Sequence, residues 1–208
     1  MDTIKSKYHE TLAATVIKNL EKRQMEGYYC PTVEDAEKLA FSFLKDGQTV
    51  SFGGSMTLEE TGMLTALRHD PSIHLIDRST AKTPDETKKM YHDALSSDVY
   101  FMSTNAITTG GELVNIDGTG NRVAALIYGP ETVVILAGMN KIAANVDEAL
   151  SRVHNVATAQ NCIRLDKKTP CAITGACADC LSPDCICNQV VITRRSGIKG
   201  RILSLIHI

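Results

Sequence analysis

Thr49-Val50-Ser51-Phe52-Gly53-Gly54-Ser55-Met56-Thr57-Leu58-Glu59-Glu60 is the stretch whose reading decides the fold. A short buried-type run meets two glycines and then Thr57 with Glu60, a hydroxyl and a carboxylate spaced to satisfy the free N–H groups of a helix start. Strand, tight turn and capped helix in that order form half of a βαβ unit. Working outward, Thr32 with Asp35 and Thr83 with Glu86 repeat the capping pattern, so helices are predicted to begin near Val33, Leu58 and Pro84. Runs at Ile73–Asp77, Val99–Thr104 and Val133–Gly138 read as further buried strands, and Val146–Ala159 as a helix. At the other end, Ile4, Tyr8, Leu12, Val16 and Leu20 recur at helical spacing until Gly27. The alternation predicts a parallel α/β sheet. Glu112–Asp117 and Val123–Tyr128 flank Gly118-Thr119-Gly120 and read as a hairpin on or beside that sheet.

With 208 residues, 43% of them hydrophobic, the chain is long enough for one substantial core and one domain. Its 22 Lys and Arg balance 24 Asp and Glu, and no long basic run appears. Extended contacts with nucleic acid or an anionic membrane surface are therefore not expected. Met1–Lys7 has no apolar leader, and no apolar run approaches the roughly 20 residues of a membrane span. A cytoplasmic protein is the expectation, with its 7 cysteines free or metal-bound rather than paired.

Ligands of open α/β sheets sit beyond the carboxyl ends of the strands. Three turns there carry suitable chemistry. Gly53-Gly54-Ser55-Met56-Thr57 offers free N–H groups to an anion, and Asn105-Ala106-Ile107-Thr108-Thr109-Gly110-Gly111 offers an amide, hydroxyls and open backbone. Met139-Asn140-Lys141 brings a cation. Around the predicted hairpin, Glu112 is the candidate nucleophile or general base, with Asp117 and Asn121 beside it. Arg122 reads either as a bidentate clamp for a substrate carboxylate or as the partner of Asp117. No Walker-type loop or Gly-x-Ser-x-Gly elbow is present.

Cys171, Cys177, Cys180, Cys185 and Cys187 crowd one stretch, which reads as a small Cys-rich lobe over residues 169–188. The Cys177-Ala178-Asp179-Cys180 pair can grip one metal, and two more thiolates would complete a four-sulfur set for zinc or an iron-sulfur cluster. Cys30 and Cys162 read as small apolar core residues.

Several of these stretches together resemble the LUD domain, the lactate-utilisation family. They are Met25-Glu26-Gly27-Tyr28-Tyr29, Phe52-Gly53-Gly54-Ser55-Met56-Thr57, Asn105-Ala106-Ile107-Thr108, Leu113-Val114-Asn115-Ile116-Asp117-Gly118, Gly120-Asn121-Arg122-Val123-Ala124-Ala125 and Gly138-Met139-Asn140-Lys141. The resemblance covers residues 1–202. It implies an α/β fold like that of CoA transferases and ribose-phosphate isomerases, a Rossmann-type parallel sheet. It also implies a redox role in oxidising L-lactate to pyruvate, with other lactate-utilisation subunits that carry iron-sulfur clusters. Thr169-Pro170-Cys171, Cys177, Cys180 and Ile186-Cys187-Asn188 resemble the tail of short stand-alone members, so Cys171, Cys177, Cys180 and Cys187 are the expected metal ligands. An iron-sulfur cluster is the expected cofactor, zinc the alternative, and a small anion the expected substrate. Competing expectations are an acyl or CoA transferase or isomerase acting through Glu112, and a non-catalytic subunit with structural zinc.

The last six residues, Leu203–Ile208, back-translate to a common sequencing-adaptor end, where relatives continue through another strand. They are read as a non-native tail, the alternative being an ordinary terminal strand.

Overall fold

The computed structural model describes residues 3–207. Ten strands run in chain order as β1 (Glu26–Cys30), β2 (Thr49–Phe52), β3 (His74–Ile76), β4 (Val99–Met102), β5 (Ala106–Thr108), β6 (Leu113–Asp117), β7 (Thr132–Gly138), β8 (Ile142–Ala143), β9 (Gln189–Thr193) and β10 (Ile202–His207). The helices are α1 (Thr3–Lys22), α2 (Val33–Ser42), α3 (Met56–Glu60), α4 (Met63–His69), α5 (Pro84–Ala94), α6 (Asn121–Ile127), α7 (Val146–Arg152), α8 (Ala159–Arg164) and α9 (Pro170–Thr174). Six strands form a sheet in the order β1-β10-β7-β4-β2-β3, with every neighbouring pair parallel. The expected parallel α/β architecture is present.

Why the sheet needs helices on both faces is visible in alternate residues of its strands. Tyr100, Met102, Val133, Ile135, Ile202 and Ile206 pack on one side with Ala13, Val16 and Leu20 of α1 and Ala125 and Leu126 of α6. Val99, Phe101, Val134, Leu136, Leu203 and Leu205 pack on the other with Ala36 and Ala40 of α2 and Leu64 and Leu67 of α4. A strand apolar at every position is buried on both faces, as parallel sheets require. Each fully buried side chain of this size contributes roughly 1.5–3 kcal/mol.

The other four strands form a second sheet in the order β8-β5-β6-β9. Here the sequence reading needs correction, because Val123–Tyr128 is not the second arm of a hairpin. Gly120 takes φ of 91° and starts α6, which buries Val123 and Leu126 on one side. A short apolar run does not distinguish strand from helix. The antiparallel partners of β6 are instead β5, with Ala106 opposite Val114, and β9, with Asn115 opposite Val191.

Three smaller expectations also shift. Thr32 and Thr83 cap α2 and α5 as expected, and Thr83 with Glu86 completes the capping box. At α3, however, the cap is Ser55, whose hydroxyl accepts from the Leu58 amide at 3.4 Å. The helix over Val146–Ala159 is interrupted by a wider π-helical turn at Val153–Thr158. Gly27 lies within β1, where a Cβ would stand 2.9 Å from Ile17 Cγ1, so this glycine lets α1 lie close against the strand.

Residues 203–207, set aside as a tail, fill a strand between β1 and β7 and are buried throughout. Their place is inside the sheet, one strand in from the β1 edge. Ile208 lies outside the described residues.

Candidate functional site

β2, β4 and β7 are neighbours in the sheet, so the turns after their carboxyl ends meet at one rim. Lys141 joins all three. Leaving the turn after β7, its Nζ donates to Thr57 Oγ1 at 2.7 Å, beyond β2, and to Ser103 Oγ at 2.6 Å, beyond β4. Burial and the nearby Arg152 and Arg122 charges pull the Lys141 ammonium down to a pKa of about 8.

Arg122, at the start of α6, ties this rim to the second sheet. Its Nε faces Asp117 Oδ2 at 3.2 Å. One terminal nitrogen donates to Asn115 Oδ1 at 2.6 Å and the Ser103 carbonyl at 3.1 Å, and the other to the Ile116 carbonyl at 2.8 Å and Asn105 Oδ1 at 3.0 Å. All five guanidinium N–H groups are thereby engaged. Of the two sequence readings of Arg122, the pairing with Asp117 is the one present. Gly53 makes room for it, since a Cβ there would lie 3.0 Å from Arg122 Cδ and Cγ.

The turns open on a cleft of about 670 Å³. Gly54, Ser55, Met56, Thr57, Asn105, Asp117, Asn121, Arg122 and Lys141 line it, nine of the residues singled out in the sequence. Sequence reasoning missed Arg78, Arg152, Arg164 and Lys167, which line it as well. Arg78 donates to Tyr91 Oη at 3.1 Å and lies over Gly54, where any Cβ would run into its guanidinium. Arg152 donates to the Asn105 carbonyl at 2.6 Å and the Asn140 carbonyl at 3.0 Å. Among the described residues, Arg78, Lys141 and Arg152 make no ion pair. Six cations and three carboxylates, Glu60, Asp117 and Asp184, border the space. Such an excess of positive charge in a partly desolvated cleft attracts a small anion. The only signal that could have found Arg78 or Arg152 was position after a strand or within a helix facing the rim, and a lone arginine does not report that.

Glu112, Thr108 and Gly110 lie away from the cleft. Glu112 forms an ion pair with Arg23 and accepts from the Thr108 hydroxyl. Arg23 also donates to the Gly110 carbonyl at 2.6 Å. These residues tie α1 to the turn between β5 and β6.

The Cys-rich segment supplies a wall of the cleft through Pro183, Asp184, Cys185 and Ile186. Several of its sulfurs approach one another, Cys185 lying within reach of Cys180 and Cys187, and Cys171 of Cys162, while each also has its own polar neighbour. Cys171 is buried beside Cys162 and lies 3.3 Å from Thr169 Oγ1. Cys177 Sγ is 3.7 Å from His154 Nδ1, and Cys180 Sγ is 3.4 Å from Ser182 Oγ, whose hydrogen bond lowers the Cys180 pKa. Burial pushes Cys187 up to about 11. A four-thiolate site needs every sulfur about 2.3 Å from one ion or a cluster iron. Among the described residues no three His, Cys, Asp or Glu side chains are grouped to hold a metal ion. Among the described residues, Cys171, Cys177, Cys180 and Cys187 are therefore not assembled as a shared four-thiolate site.

The sequence profile of the LUD domain matches residues 13–206. Among solved structures, a DUF162 family protein from Deinococcus radiodurans is similar over 96% of this chain and 97% of its own, with a TM-score of 0.53 at 11% identity. Ribose 5-phosphate isomerase A from Methanocaldococcus jannaschii is similar over 54% of each chain, with a TM-score of 0.34 at 20% identity. eIF2B delta from Chaetomium thermophilum is similar over 57% of this chain and 50% of its own, with a TM-score of 0.37 at 19% identity. No curated protein matches the sequence. No helix among the described residues is long and apolar enough to cross a membrane.

Proposed function

Because the chain belongs to the LUD domain family, which is associated with lactate utilisation, we propose that its cleft binds a small 2-hydroxy or 2-oxo acid of the lactate and pyruvate kind. The observation that carries this reading is Lys141, held by Thr57 and Ser103 at the meeting of three strand ends, with Arg152 and Arg78 nearby and, among the described residues, no carboxylate paired to any of the three. A ligand carboxylate supplies the missing counter-charge, and charge-assisted hydrogen bonds are the strong ones. Oxidising a 2-hydroxy acid to a 2-oxo acid releases two electrons and two protons. On this reading the electrons pass to partner subunits that carry iron-sulfur clusters, as the family's association with lactate utilisation suggests.

The cleft volume of about 670 Å³ favours a second reading. A three-carbon acid fills only part of that space, and Arg164 and Lys167 add positive charge farther along it. A larger phosphorylated anion, handled by an isomerase or CoA-transferase type of chemistry, would use both. Thermal unfolding in the presence of L-lactate, pyruvate, ribose 5-phosphate and CoA separates the two. A rise in Tm with the three-carbon acids supports the first reading, and a rise confined to the phosphorylated compounds replaces it with the second.

A further inference from the structure

We propose that Lys141 is a covalent catalytic residue, its amine forming an imine with the C2 carbonyl of a 2-oxo acid bound in the cleft. The inference rests on the reading of the cleft as a hydroxy or oxo acid site and goes beyond it in assigning a bond.

The geometry separates Lys141 from an ordinary binding cation. Its Nζ is fixed by two neutral hydroxyls, Thr57 Oγ1 and Ser103 Oγ, on two different turns, so the nitrogen is positioned without a carboxylate that would hold its proton. Ser103 is itself tied down, since its hydroxyl donates to the Leu136 carbonyl at 2.6 Å. Lys141 lines the cleft together with Asn105, Asn140 and Arg152. The charges facing it are Arg122 and Arg152, with Glu60 at the cleft rim. Two cations and partial desolvation favour the neutral amine, which is the nucleophilic form, and the lowered Lys141 pKa agrees with that arrangement. Arg152, which has no ion-pair partner among the described residues, can hold the carboxylate of the oxo acid and so place C2 beside the nitrogen.

The step balances without any electron acceptor. The Nζ lone pair forms the C–N bond as the carbonyl π pair moves to oxygen. That oxygen takes one proton from nitrogen and one from solvent, then leaves as water while the nitrogen lone pair completes a protonated imine. The product is an electron sink at C2 that a purely ionic binding site would not create.

The test uses the intact protein with pyruvate and sodium borohydride, followed by intact-mass and peptide mass spectrometry, with pyruvate binding measured separately by calorimetry. The expected result is a gain of one pyruvate less one oxygen atom, located on the Lys141 peptide and absent from Lys141→Arg, with circular dichroism confirming that the variant is folded. Calorimetric binding without trapping, or trapping on another lysine, overturns the imine and leaves the acid-binding reading standing. An absence of binding overturns both. Because the peptide assignment is made on the unaltered protein, a poorly folded variant does not remove the test.

Discussion

Replacing Arg122 with alanine should be the most damaging single change at the cleft. All five of its donors are used, and its side chain is only 12% exposed. The substitution leaves the Asp117 carboxylate, 9% exposed, with the Gly120 amide as its remaining hydrogen bond, and strips the fully buried Asn115 of its charged donor. Breaking a buried charge pair from one side costs about 3–5 kcal/mol, because the remaining charge stays desolvated. Set against a typical domain stability of about 5–15 kcal/mol, that is a large fraction. For a chain of this size it corresponds to a fall in Tm of roughly 6–20 °C. Arg122→Lys should lie between wild type and Arg122→Ala, since three donors from one nitrogen cannot reach partners spread over β6 and the turn after β4. The double variant Arg122→Met with Asp117→Asn should recover part of the loss by removing the stranded charge. Urea unfolding of the four proteins measures this directly. A loss under about 1 kcal/mol in Arg122→Ala, or no recovery in the double variant, would refute the view that Arg122 locks the two sheets together.

Other outcomes follow from single contacts. Ser204 is fully buried in the inner strand β10, and its hydroxyl has no hydrogen-bond partner among the described residues, so Ser204→Ala should stabilise the protein by about 1 kcal/mol or more in thermal unfolding. The Lys141 pKa is lowered from 10.5 to about 8, so the unfolded chain binds more protons between those values and stability should rise with pH across that window, by at most ~3 kcal/mol relative to Lys141→Met. Anion binding needs the charged ammonium, so affinity for lactate should fall above about pH 8. Glu112→Gln should leave cleft binding unchanged while lowering stability through its contact with Arg23, and a loss of binding would restore Glu112 to the site. Under native conditions a thiol reagent should label Cys180 fastest and Cys30, Cys162 and Cys171 slowest, as read by peptide mapping, because the first is partly exposed with a lowered pKa and the others are buried.

Much of this arrangement was legible in residue order. The strand-turn-helix unit around Gly53 and Gly54 and the caps at Thr32 and Thr83 depend on local chemistry, and local chemistry is what a sequence displays. The meeting of the Thr57, Asn105 and Lys141 turns was legible too, through the rule that parallel strands present their carboxyl ends on one side. What escaped was set by distant packing. Val123–Tyr128 is apolar enough for either element, and only the positive φ at Gly120 and the core beneath α6 make it a helix. Glu112 shares a sequence neighbourhood with Asp117, yet it sits in the turn before β6, where Arg23 pairs with it away from the cleft. The dense cysteines suggested one metal site from spacing alone, and spacing does not report how α8, the π-helical turn and the cleft wall orient each sulfur, as Cys177 beside His154 and Cys180 beside Ser182 illustrate. Residues 203–207 read as a non-native tail, with a terminal strand as the alternative; codon pattern says nothing about burial, and the strand is what they form, between β1 and β7.

The central claim is that unpaired cations at three converging strand ends bind a small organic acid through its carboxylate. Titration calorimetry at pH 7 with L-lactate, pyruvate and the neutral analogue lactamide tests it most directly. The account predicts saturable heat with the two acids, weakened by salt and by Arg152→Ala, and none with lactamide. Equal binding of lactamide, or no heat from either acid, would contradict it.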